Sequence, residues 1–142
     1  MSMFNIFDIA GSGMNAQSVR LNTVASNLAN AESASNTEAG AYRSKHPVFS
    51  AVMMNAMNGG SNMQVGAKVK VDDVIESDAP VQKRYEPNHP LADVDGNVFY
   101  SNVNVVEQMA DMISASRSFQ ADVELMSTSK TLMLRTLQLG QS

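Results

Sequence analysis

Residues 11–16, Gly-Ser-Gly-Met-Asn-Ala, have the Gly-x-Gly-x-x-Ala spacing of a dinucleotide-binding turn, and Glu32 stands near the distance of a ribose-binding acid. In that chemistry the glycines bring backbone N–H groups against a pyrophosphate at a helix N-terminus. The motif needs a buried strand immediately before it. Met3 to Ala10 instead contains Asn5 and Asp8, with isolated Ile in place of a β-branched run, and no second parallel strand pattern follows. We therefore expect no cofactor, the glycines serving to relax the start of a helix. Asp93-Val-Asp-Gly-Asn97 resembles part of a calcium loop. Setting Gly96 at the sixth loop position puts Leu91 first and Asn102 twelfth, so both closing ligands are missing and a turn with an Asp-Gly corner is expected. His46 and His89 each precede a proline and have no partner at metal spacing, so no metal site is expected. No nucleophile, base and orienting acid can be assembled, and the reading is of a chain without catalytic residues, not an enzyme.

Composition points away from other chemistries as well. The 142 residues suit one modest folding unit. A net charge of −4 argues against nucleic acid, because phosphate binding needs clustered Lys and Arg. No stretch approaches the roughly 18–20 apolar residues of a membrane span, and Met1 to Ala10 shows no basic region of the kind that opens a secretory signal. Cysteine is absent, which excludes disulfides and thiolate ligands. Hydrophobic residues make up 44% of the chain without any Trp, and 11 Met carry much of that share. Met is soft and unbranched, which suits surfaces that accept slightly different partners.

What remains to be positioned is apolar surface. Phe7, Met14, Leu21 and Leu28 fall on one heptad line, with Ala10, Val24 and Ala31 offset by three. The residues between them are Asn, Ser, Gln and Thr, so this helix needs a partner. At the far end Val105, Met109, Met112, Phe119, Val123, Met126, Met133 and Leu137 follow steps of four and three, with Ser116 and Lys130 in the skipped places. A second stripe, Leu125, Leu132 and Leu139, implies more than one neighbour for that helix. Arg117 and Arg135 can pair with Glu107, Asp111, Asp122 or Glu124 on a solvated face. In the centre, Val65, Ala67, Val69 and Val71 alternate with polar residues as in a half-buried strand, and Val81–Tyr85 and Asn97–Tyr100 suggest two more. Asn55 to Asn62 reads as a flexible loop. The fold expected is α+β. Long antiparallel N- and C-terminal helices over 1–34 and 102–142 form a coiled-coil-like pair, with a small loop-rich β module over 35–101 between them.

Gly11-Ser-Gly-Met-Asn-Ala-Gln-Ser-Val-Arg-Leu-Asn-Thr-Val-Ala-Ser-Asn-Leu-Ala-Asn-Ala31 resembles the N-terminal signature of the flagellar rod and hook axial family. Tyr42 to Phe49, Tyr85 to Gly96 and Asn102 to Phe119 resemble its proximal rod members, and the similarity runs from Phe4 to Gln141. Asn55 to Asn62, within the Met-, Asn- and Gly-rich stretch 53–63, departs from the family pattern. The resemblance implies a structural subunit that assembles helically into the proximal rod of the basal body, where the drive shaft crosses the periplasm and transmits motor torque. It further implies self-association, contact with other rod proteins, and passage through the flagellar type III export apparatus without signal cleavage. Gln17, Asn27 and Asn30 are the family-motif residues, the two Asn either closing the first helix or contacting a neighbouring subunit. A rival reading is a soluble helical adaptor or export chaperone of the same export system, which would form a discrete complex in place of a rod.

Overall fold

The computed structural model describes residues 3–54 and 66–140 of the chain. The stretch expected as a flexible loop, Asn55 to Asn62, and Val65 at the head of the expected strand lie outside the described residues. Helix α1 spans Met3–Ala29. No proline precedes Pro47, so nothing breaks the helix until Asn30, whose N–H reaches both Ser26 O and Asn27 O at 3.2 Å and tightens the last turn. Helix α2 spans Val105–Leu139, opened by Asn104, whose side chain accepts from the N–H groups of Val106 and Glu107. At about 1.5 Å per residue, α2 is roughly 12 Å longer than α1.

Two antiparallel sheets lie between the helices, and the fold class is α+β. Strand β5 (Asn97–Tyr100) sits between β1 (Ala34–Ser35) and β4 (Gln82–Tyr85), with Ala34 opposite Tyr100 and Tyr85 opposite Asn97. The chain reverses between β4 and β5 at Gly96, the one described residue with positive φ (75°), as an Asp-Gly corner requires. The second sheet is a long hairpin of β2 (Lys45–Met54) and β3 (Gly66–Glu76), bulged between Val48 and Phe49. The sequence reading places a strand only over 65–71. The structure lengthens it to Glu76 and adds β2, which runs through His46 and Pro47 and was not among the expected strands.

Burial at the start of β3 runs in the opposite phase to the expected one, whereas Val71 keeps its expected half-buried place and Lys70 its exposed one. Lys68 is half-buried while Ala67 and Val69 are exposed. The cause is electrostatic: Lys68 Nζ reaches Asp8 Oδ2 on α1 at 2.8 Å, and the Val69 N–H donates to Ser12 Oγ at 3.1 Å, so a polar seam seats the hairpin on α1. A lone two-stranded hairpin is marginal in water, and α1 is the support it uses. The core is small, comprising Ala10, Ala16, Val24, Ala41, Val98, Val103 and Ala115.

Candidate assembly surface

Helix α2 packs on α1 and on no other helix or strand among the described residues. Its covered positions are Gln108, Asp111, Met112, Ala115, Ser116, Ser118, Phe119, Asp122, Met126, Ser129 and Met133, and the line from Gln108 through Met112, Ala115, Phe119, Asp122, Met126 and Ser129 to Met133 runs at alternating steps of four and three. Of these, Gln108, Ala115 and Ser129 are fully buried. The contacts pair early α1 residues with late α2 residues. A Cβ added at Gly11 would lie 3.9 Å from Met126 Cε, and one at Gly13 would lie 2.8 Å from Asp122 Oδ2. Farther along, Arg20 Nη2 meets Asp111 Oδ1 at 2.6 Å, and Asn27 bonds Gln108. Gly13 therefore has a steric role, since it admits the Asp122 carboxylate against the helix backbone.

At the end of this seam the chain ties itself together through one amide. Asn27 is completely buried and uses its full hydrogen-bonding capacity. Its Nδ2 donates to Lys45 O at 2.8 Å and Gln108 Oε1 at 2.9 Å; its Oδ1 accepts from Lys45 N–H at 2.8 Å and Tyr42 Oη at 3.0 Å. Both helices and the entry to β2 thus meet at one side chain. A second amide, Asn102, accepts from Ser44 N–H at 2.7 Å and donates to Ala79 O at 2.8 Å, and Ser101 Oγ donates to Ala31 O. Near this base the Glu86 carboxylate, accepting a hydrogen bond from Tyr100 at 2.9 Å, holds the tyrosine hydroxyl above its ordinary pKa, and burial adds to the effect. On the hairpin, hydrogen bonding from Ser50 and then Lys70 lowers the Asp72 carboxyl.

The residues expected to carry packing divide into three groups. Val24 is buried, and Phe7, Met14, Leu21 and Leu28 are half-buried along α1. Met112, Phe119, Met126 and Met133 are half-buried on the α1-facing side of α2. Met109, Val123 and Leu137 stand outside the seam, 52%, 42% and 56% exposed. Leu125, Leu132, Leu134 and Leu139 are exposed with them. Among the family-motif residues, Asn27 is the junction just described. Asn30 closes α1 by donating to Ser26 O at 2.8 Å, and Gln17 is half-buried with an Oε1 that no described donor reaches. Sequence reasoning missed Gln108, Ala115, Asp122 and Ser129. Their signal was a heptad line of small and polar residues, where only large apolar ones had been sought.

The chemical motifs take ordinary structural places. Gly11 to Ala16 lies well inside α1, with no strand before it. Asp93 to Asn97 forms a turn in which Gly96 N–H donates to Asp93 O at 3.0 Å and Asp93 N–H to Asn97 O at 2.9 Å. His89 Nδ1 accepts from Leu91 N–H at 3.1 Å, and His46 lies in β2 beside Ser44. No group of three or more potential metal ligands occurs among the described residues, and none of their helices is long and apolar enough to cross a membrane.

Known proteins are similar to this chain in sequence along its length. Residues 7–34 match the family described as flagella basal body rod protein, and residues 94–139 match the C-terminal family of flagellar basal body rod FlgEFG proteins. The flagellar basal-body rod protein FlgC of Escherichia coli O6:H1 is 52% identical over 99% of this chain and 100% of its own length. With the same coverage, FlgC of Salmonella typhimurium is 50% identical and that of Yersinia enterocolitica 46%. Both terminal segments, the seam and the central module fall within these full-length matches, and the chain belongs to the FlgC family of flagellar basal-body rod proteins.

Proposed function

We propose that this chain is a structural subunit of the flagellar basal body, assembling helically with copies of itself and with other rod proteins into the proximal rod that transmits motor torque. In this reading α1 and α2 form an antiparallel, coiled-coil-like pair, supported by the four-three spacing of the covered α2 positions and the reversed order of its contacts. The observation that carries the proposal is the outer surface of α2. Met109, Ile113, Val123, Leu125, Leu132, Leu134, Leu137 and Leu139 all stand at least 42% exposed along one helix of 35 residues. Such surface on both flanks of a seam is what a subunit needs when neighbours cover it from more than one side.

The units 1–34 and 102–142 would then build the load-bearing layer, while 35–101 sets which neighbours are accepted. Delivery to the rod would use the flagellar type III export apparatus, without cleavage of a signal. An adaptor or chaperone role fits less well, because full-length identity of about half ties the chain to rod proteins. The test is electron microscopy of basal bodies from a strain lacking the gene, with and without complementation. Complete rods in the uncomplemented strain would end the proposal. So would a complementing protein found only in a discrete cytoplasmic complex.

A further inference from the structure

The helix seam repeats every seven residues, and its steric pattern does not by itself choose one alignment. On α2 the line opposite the α1 glycines is Gln108, Ala115, Asp122 and Ser129, all but Gln108 small. Sliding α2 by seven residues would set Gly13 against Ser129 in place of Asp122, with no loss of fit. The Arg20–Asp111 ion pair is also replaceable, because the same slide carries Ser118 and then Asp122 toward the Arg20 side chain. It is moreover about one-third exposed on both sides, and such pairs contribute little. The Asn27 amide is different. After the slide it would face Ala115, leaving Gln108 and one Nδ2 proton without partners.

We propose that, beside the ties Ser101 and Asn102 make just ahead of α2, the Asn27–Gln108 amide pair fixes the lengthwise alignment of the two helices. Both residues are fully buried, their hydrogen bond is 2.9 Å, and Asn27 is held from the opposite side by Lys45 and Tyr42. The alignment is thereby referred to the base of the β2–β3 hairpin as well as to α1. A slide of seven residues would displace the outer apolar stripes of α2 by about 10 Å relative to α1 and the central module. Subunit contacts depend on that relation. A single buried amide specifying register is an established physical device in helix pairs. Asn27 and Gln108 act here as positioning residues.

The chain has no cysteine, so alignment can be read directly by cross-linking in the purified full-length protein. The pair Gly13→Cys/Asp122→Cys reports the observed alignment, and Gly13→Cys/Ser129→Cys, made together with Asp122→Ala because a Cβ at position 13 would lie 2.8 Å from the Asp122 carboxylate, reports the slide, since cysteines about 10 Å apart along the seam cannot be bridged. With Gln108 intact, only the first pair should close into a fast-migrating monomer on oxidation. Gln108→Leu, or the nearly isosteric Gln108→Met, should raise closure of the second pair by about tenfold, the population change expected when one buried hydrogen bond is lost. A role in stability alone would lower the melting midpoint without creating the second cross-link. The proposal is overturned if both variants leave the second pair at background, whether the first cross-link persists or disappears.

Discussion

Leu125 and Met126 are adjacent, yet Leu125 is exposed while Met126 is half-buried in the seam, and aspartate at each should separate folding from assembly. Leu125 is 47% exposed. Leu125→Asp should therefore lower the stability of the isolated chain by only about 1–2 kcal/mol, through the half of its burial already made and the weaker helix propensity of Asp. In a rod the same site would be covered. Burying the rest of a leucine contributes about 1 kcal/mol, and placing an unpaired carboxylate there costs several more. Each contact should thus weaken by roughly 3–5 kcal/mol, more than a hundredfold in affinity, and every subunit repeats the loss. Met126 points into the seam near Gly11 and one turn from Asp122. Met126→Asp should destabilise the chain itself by about 2–4 kcal/mol, through lost packing and a second carboxylate at i, i+4. Urea denaturation followed by helical circular dichroism gives the first quantity, and basal-body purification with motility assays gives the second. Intact rods and normal motility from Leu125→Asp, with a folded chain, would refute the reasoning that the outer stripe is a subunit contact.

Asn27→Ala should cost about 3–5 kcal/mol, since it strips partners from Gln108 and the Lys45 backbone, whereas Asn30→Ala, losing one exposed bond, should cost below about 1 kcal/mol; thermal melts of both variants check the ratio. Gly96→Ala should destabilise by about 1–3 kcal/mol, because the residue has φ 75° and its new Cβ would sit 3.0 Å from Tyr85 Cε2 and 3.2 Å from Pro87 Cβ. Calorimetry would show it as a lowered Tm. Asp72 has its folded pKa depressed below 3.8, so its contribution is present above that value and lost as pH falls through the folded pKa. The stability difference between the parent and Asp72→Asn, measured by urea midpoint, should therefore be present near neutral pH and shrink as the pH is taken below 3.8.

The sequence declared its elements more readily than its faces. Strands at Val81–Tyr85 and Asn97–Tyr100 were legible because Pro and Asp-Gly punctuation brackets them, and β4 and β5 lie there. The β2–β3 hairpin was only half legible. Pro47 sits within β2, and polar bonds to Asp8 and Ser12 overrode the apolar alternation at the start of β3. On α2, hydrophobicity selected the line through Met109, Val123 and Leu137, whereas the chain's own packing uses Gln108, Ala115, Asp122 and Ser129. The line through Met112, Phe119, Met126 and Met133 belongs to both. The junction at Asn27 was invisible in kind, because a buried amide is defined by partners 15 to 81 residues away.

That inversion on α2 has a physical reason. A soluble single chain puts its largest apolar side chains between its helices, because no other cover exists. Here α1 presents Gly11, Gly13, Ala16 and Thr23 across the seam, which favours close backbone approach and small partners. Apart from Met112, Phe119, Met126 and Met133, the large residues of α2 are left outside, where in water they would be a liability. The arrangement becomes favourable once neighbouring helices cover them, so assembly contributes the burial that the single chain forgoes. A narrow seam also leaves little apolar area to define alignment. Directional groups must then supply it, which is why the buried amides of Asn27 and Gln108 occur where a conventional core would hold leucine. Internal polarity and external apolarity thus follow from one requirement: each subunit must define its own shape with few contacts and reserve the rest for its neighbours.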